Sequence, residues 1–239
     1  MASSTSSDLK LELITTGEKS GTWGTITNTN LQILEQAASG YIAVDVASSD
    51  VALALSNHAV SNGKNLYFKF TGTLAANRTV TMPDSAERVF IVEDATARSS
   101  SNYTLTVKTV SGTGIALPIG SKCLLYSDGT NVNLGIRQKG YYTPTTAYTA
   151  VDGDQLLIDT SGSGIGSAVT ITLPASPAVG SEVHFIDSGN NFASNNLTIA
   201  RNGSNILGAA SNLVVNTSAS AFTLVFVNAT RGWAYKTKI

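Results

Sequence analysis

Thr79-Val80-Thr81-Met82-Pro83, followed by Val89-Phe90-Ile91-Val92-Glu93-Asp94 and Leu105-Thr106-Val107, returns later in the chain. The second version reads Thr170-Ile171-Thr172-Leu173-Pro174, Val183-His184-Phe185-Ile186-Asp187 and Leu197-Thr198-Ile199. Order and character agree although insertions shift the offset, with His184 aligned to Phe90, which reads as one β-rich unit built twice. Around these segments run short stretches of four to seven residues rich in Val, Ile, Thr, Tyr and Phe, separated by clusters of Gly, Asn, Asp and Ser. That is the pattern of strands joined by turns. With no helical periodicity between strands, a parallel α/β sheet is disfavoured and a sandwich is expected. The fold class read from the sequence is mainly β: two tandem antiparallel, jelly-roll-like β-sandwich units after a short N-terminal strand and helix.

The boundaries follow from composition. Residues 1–40 form an N-terminal attachment segment, in which 1–8 are a Ser/Thr tract with little to pack. Leu9 to Ile14 alternates like a half-buried strand. A helix is expected over about residues 28–39, capped by Thr27 or Asn28, with Leu31, Leu34 and Ala38 on one face and Gly40 at its end. So short a helix is marginal alone, so its stripe must pack on the first β unit or on the same helix of another copy. The first unit spans 41–137, a Pro- and Tyr-containing linker 138–148, and the second unit 149–239.

Composition narrows function. Of 239 residues only 13% are charged against 42% hydrophobic, with a net charge of -1. Disorder calls for the reverse balance. An uncharged surface lacks the electrostatic term that drives nucleic-acid binding, and weak self-repulsion favours assembly. No apolar run approaches the roughly 18 residues of a membrane span, and the first residues do not read as a secretory signal, so a product made in the cytoplasm is expected.

The chemistry-bearing residues are sparse. Two histidines, His58 and His184, and one cysteine, Cys123, lack metal-ligand spacing, and Cys123 reads as a buried apolar side chain. Asp152-Gly153-Asp154 reads as a structural turn, since the alternating ligands and closing Glu of a calcium loop are missing. Gly162-Ser163-Gly164-Ile165-Gly166 precedes a strand instead of a helix and so does not form a phosphate loop. Scattered acids offer no catalytic carboxylate pair. No catalytic, metal or cofactor residue is assigned, and the chain is not expected to be an enzyme. Tyr141, Tyr142, Tyr148, Trp233 and Tyr235 are the aromatics best placed to stack on a glycan or to fill an interface.

Thr16-Gly17-Glu18-Lys19-Ser20-Gly21-Thr22-Trp23-Gly24-Thr25-Ile26-Thr27-Asn28-Thr29-Asn30-Leu31, the short helix after it and Gly40-Tyr41-Ile42-Ala43-Val44-Asp45-Val46 resemble the opening of virion structural proteins of marine bacteriophages, commonly tail-fibre-like. The likeness extends through the first unit and more loosely to Leu173-Pro174 and Trp233-Ala234-Tyr235, with Gly-Thr-Trp-Gly its most specific part. It implies a non-enzymatic virion component, homotrimeric, bound to other virion proteins through its N-terminal segment. On that reading Trp23, Ile26, Leu31 and Leu34 carry the assembly contact. A capsid decoration or adaptor protein, and an adhesin for a host surface glycan, are the alternatives.

Overall fold

A four-stranded and a five-stranded sheet, nine strands together, form the body of each of two units. In the computed structural model, which describes residues 2–99, 103–138 and 140–238, the first unit comprises Met1–Ala97, Thr104–Leu117 and Ser121–Gln138. The second comprises Arg98–Tyr103, Pro118–Gly120 and Lys139–Ile239. The strands of the first are β1 (Tyr41–Asp45), β2 (Val51–Ala52), β3 (Tyr67–Thr71), β4 (Arg78–Met82), β5 (Glu87–Asp94), β6 (Leu105–Thr109), β7 (Gly114–Leu117), β8 (Lys122–Asp128) and β9 (Val132–Gln138). Those of the second are β10 (Tyr141–Tyr142), β11 (Tyr148–Thr149), β12 (Gln155–Ile158), β13 (Val169–Thr172), β14 (Glu182–Asp187), β15 (Leu197–Ala200), β16 (Leu213–Val215), β17 (Ala221–Asn228) and β18 (Gly232–Lys238).

The first six strands of each unit alternate between two sheets. β1, β3 and β5 lie parallel in one sheet, and β2, β4 and β6 lie parallel in the other. The chain therefore coils, as in a β-solenoid of three turns, before β7 folds back antiparallel on β6 and the β8–β9 hairpin closes antiparallel on β5. The second unit repeats this topology strand for strand, with sheet order β10-β12-β14-β17-β18 against β1-β3-β5-β8-β9. Even the register slip recurs, between Leu124 and Leu125 in one unit and Thr223 and Leu224 in the other.

The mainly β class is thus as expected, but the antiparallel jelly-roll arrangement is not. The spacing that suggested hairpins is the spacing of crossings from one sheet to the other. Parallel sheets usually betray themselves by continuous apolar runs because both faces are covered. Here one face of each sheet lies toward solvent, so the strands keep the alternation that suggested antiparallel pairing. The segment 138–148 carries β10 and β11, each pairing parallel into a sheet of the second unit.

Alternate side chains point into the gap between sheets. In the first unit Phe68, Phe70, Phe90, Val92 and Leu125 meet Val80, Met82, Leu105 and Val107, and the free Cys123 is buried with them. In the second, Leu156, Ile158, Phe185 and Leu224 share one core with Ile171, Leu197, Ile199 and Phe192. Each large side chain so buried contributes about 2 kcal/mol. The equivalence of the halves is offset at one place. Tyr67 pairs with Ile91 and its counterpart Gln155 pairs with His184, so His184 matches Ile91 and not Phe90. A one-residue shift exchanges faces: Phe90 is buried and His184 faces outward, half-buried.

The N-terminal segment departs most from expectation. Its helix, α1, covers Trp23–Ser39, five residues longer at the start. Thr27 and Thr29 donate their hydroxyls back to the carbonyls of Trp23 and Thr25, so these poor helix formers bond within the helix that they were expected to cap. The strand foreseen over 9–14 shrinks to Glu12–Leu13, paired with Ser4–Thr5 inside the supposed loose tail.

Trp233 is fully buried, lies 5.7 Å from Phe226 edge to face, and its indole N–H has no hydrogen-bond partner among the described residues. Trp233→Ala is expected to lower the unfolding free energy of the second unit by about 3–5 kcal/mol through the cavity it leaves. Trp233→Phe, which also deletes the orphaned donor, should cost clearly less. Urea denaturation followed by circular dichroism checks the order.

Candidate functional site

Helix α1 has one pinned face. Asn30 donates to the Glu12 carbonyl at 2.9 Å and accepts from the Glu12 N–H at 3.0 Å, Gln36 donates to the Ser61 carbonyl at 3.0 Å, and Ile33 is fully buried. The partner loop is itself held from beneath. The buried ammonium of Lys64 donates to the carbonyls of Ser56 and Ala59 at 2.7 and 2.6 Å. The Arg88 guanidinium donates to the carbonyls of Gly63, Lys64 and Asn65.

The outward face of α1 has no partner among the described residues. Trp23 is 63% exposed, Leu31 57% and Leu34 43%, and Ala38 continues the stripe. The sequence left two partners open for this stripe, the first β unit and another copy, and among the described residues the first β unit does not cover it. Ile26 lies half-buried in a polar cleft with Glu12, Thr25, Thr29, Asn30 and His58, apart from the three exposed residues. In that region Thr5 and His58 Nε2 share a hydrogen bond of 2.7 Å and Lys19 bridges to Glu12 at 2.9 Å, tying the N-terminal ladder to the unit.

The five-stranded sheets carry the second surface. One row of outward side chains crosses the first unit's sheet: Tyr41, Tyr67, Ile91, Leu124 and Ile136, paired strand by strand. Tyr41 and Tyr67 stack at 5.6 Å, and Tyr41 and Ile136 at the two ends are largely exposed. Val89 and Tyr126, a cross-strand pair, widen the band. On its other side runs a charged row of Lys122, Glu93 and Lys69. Tyr67 donates its hydroxyl to Glu93 at 2.7 Å; burial first and this bond second push the phenol up to about 12, and the same bond holds the Glu93 carboxyl below its usual range.

In the second unit the matching row reads Tyr141, Gln155, His184, Thr223 and Thr237. Every position after the tyrosine is polar. His184 Nδ1 and the Thr223 hydroxyl share a 2.7 Å hydrogen bond, and Thr237 donates to Thr223 at 3.2 Å. Where the first unit has its charged row, this one has Leu157, Ile186 and Ala221, all half-buried.

The five aromatics singled out from the sequence are not brought together on one surface. Tyr141 is exposed at the end of the polar row. Tyr142 is half-buried and packs 5.1 Å from the buried Tyr148, whose hydroxyl donates to the buried Asp154 at 2.9 Å. Trp233 belongs to the core, and Tyr235 packs against it while lining a groove with Leu207, Leu213, Val215 and Phe222. The two outward rows were missed. The first unit's row had its signal in runs such as Val89-Phe90-Ile91-Val92 and Leu124-Leu125, where apolar residues occupy both faces of a strand that needs only one.

The carboxylates are spent on turns. Asp152 accepts from the Glu182 N–H and Asp154 from the Val151 N–H, while Asp159 accepts from Ser161 ahead of the glycine-rich loop. No group of three metal-ligating side chains occurs among the described residues, and no helix among them is long and apolar enough to cross a membrane.

No protein-family model matches the sequence, and no curated protein does. A solved structure described as a chaperone-substrate complex is similar over 82% of this chain at 12% identity, with a TM-score of 0.36. The chain spans about a third of the length of that structure's chain, 32%.

Lys64 supplies a pH test of the helix support. Burial, aided by the charge of Lys10, lowers its pKa from 10.5 to about 8. The folded state therefore holds fewer protons than the unfolded chain between those values, and stability rises with pH across that window. The gain is expected to be on the order of 2 kcal/mol and to vanish in Lys64→Met. Tyr67, raised to about 12, acts oppositely near pH 10 and above, and Arg88, lowered to about 10, acts in the same sense there, so the difference between wild-type and Lys64→Met unfolding midpoints from pH 7.5 to 9 isolates Lys64.

Proposed function

We propose that this protein is a non-enzymatic structural component of a bacteriophage virion, tail-fibre-like, which attaches through its N-terminal segment, assembles with itself as a homotrimer and displays its β units. One observation carries the reading. Trp23, within the Gly-Thr-Trp-Gly segment on which the resemblance to marine phage virion proteins rests, stands exposed at the first turn of a helix whose other face is anchored. A large indole left in solvent is costly unless a partner covers it. A coiled β unit built twice suits a displayed structural element, and a low surface charge suits close packing in a particle. A capsid decoration or adaptor protein would use the same contact.

The polar row of the second unit favours one further reading, an adhesin for a neutral host glycan. An exposed ring, Tyr141, stands in line with an amide, an imidazole and two hydroxyls, the groups that stack on and hydrogen-bond to a sugar. In this version the binding residues are Tyr141, Gln155 and His184, not the buried Tyr148 or Trp233.

Trp23→Ala is expected to leave the circular dichroism of the β units unchanged and to deplete the protein at least tenfold from purified particles. Retention at the wild-type level sinks the attachment contact. On a glycan array, loss of binding in both Tyr141→Ala and His184→Ala would identify the adhesin, and silence of the wild type would leave the structural reading alone.

A further inference from the structure

We infer that copies of this chain join head to tail, the exposed stripe of α1 in one copy lying on the apolar outer sheet face of the first unit in the next. This deepens the self-association proposed above and does not depend on the virion reading.

The duplication supplies an internal control. The same coil tolerates Gln155, His184, Thr223 and Thr237 at the positions where the first unit has Tyr67, Ile91, Leu124 and Ile136. Folding therefore does not require apolar residues there. Yet the first unit places an unbroken band across five strands, with Tyr41, Val89, Tyr126 and Ile136 all between 39% and 69% exposed. Apolar surface kept in solvent without a folding reason marks a docking face.

The occupant is argued from α1. Its stripe of Trp23, Leu31 and Leu34 is a second exposed apolar surface of the unit, and helix on sheet is a standard way of burying both. The helix cannot cover its own sheet. Gly40, which ends it, leads straight into β1, and a Cβ there would stand 2.3 Å from the Gln36 carbonyl. With Ile33 buried and Gln36 tied to Ser61, the exposed stripe stays turned away from Tyr41, which remains in solvent. Charge agrees as well. Glu35 is the only charged residue of α1, and of the charges flanking the apolar band the row beside Tyr67, Ile91 and Leu124, made of Lys122, Glu93 and Lys69, is net positive, while Glu87 and Asp128 lie on the far side, beyond Val89 and Tyr126. Two unlike faces on each copy make a heterologous contact, which closes into a ring when the rotation permits. In a ring every copy uses both faces, doubling the surface buried per chain.

Light scattering on the full-length chain after size exclusion tests this with two variants: Leu31→Glu/Leu34→Glu on the helix and Ile136→Glu on the sheet, all at exposed positions. The wild type is expected to be oligomeric, and each variant alone to fall to the single-chain mass of 24.8 kDa with unchanged circular dichroism. Mixed one to one, the variants should form a dimer, since the intact helix of one meets the intact sheet of the other. Ile136→Glu remaining fully assembled while the helix variant dissociates would mean helix-to-helix contact and overturn the inference, as would a mixture that stays monomeric. A monomeric wild type would instead remove self-association altogether, and with it the trimer.

Discussion

A shared gap between two sheets governs this molecule. Because each coil sends one strand to either side, every second residue must be apolar on both strands at once, and the chain must cross at the same place on each turn. The buried aspartates at the ends of the central strands show how tightly that crossing is held. Asp94 accepts from the Thr96 N–H and hydroxyl, and its equivalent Asp187 accepts from the backbone N–H groups of Asn191, Phe192 and Ala219. In both units the next residue, Ala95 or Ser188, then donates to the preceding coil. A carboxylate that satisfies orphaned turn donors is worth burying, whereas an unpartnered one would not be.

That constraint acts on inward positions only, which explains how the two copies diverged. Val80 matches Ile171, Val107 matches Ile199 and Phe70 matches Ile158, all buried. Outward positions are free to change, and they changed in opposite senses: one unit kept an apolar band beside a charged row, the other a hydrogen-bonded row beside half-buried aliphatic residues. Function is therefore to be sought on the outer faces, since the inner ones carry information about packing alone.

The sequence made the duplication legible for the same reason. Inward residues repeat, so Thr79–Pro83 against Thr170–Pro174 and Leu105–Val107 against Leu197–Ile199 align without structural help. Two things were hidden. Parallel pairing leaves no local mark when crossings are as short as hairpins. And the match of His184 to Phe90 failed by one residue, because the flanking valines, Val89 and Val183, look alike yet stand on opposite faces; only strand register separates them. For the helix, Thr27 and Thr29 argued for an end and not a continuation, since their hydroxyl back-bonds to the preceding turn are invisible in a propensity reading.

The scarcity of charge gains its meaning from these faces. Edge strands and apolar patches normally need charged gatekeepers to prevent indiscriminate pairing. On the first unit's sheet outward charges flank the band on both sides, Lys69, Glu93 and Lys122 in one row and the cross-strand pair Glu87 and Asp128 beyond Val89 and Tyr126. Lys69 and Glu93 approach to 3.7 Å and Tyr67 bonds to the same carboxylate, so the row is internally compensated and has only a small net charge to offer. A surface arranged in this way repels little and steers weakly. It favours a partner whose own surface is nearly uncharged, and α1, with Glu35 as its only charge, is such a surface.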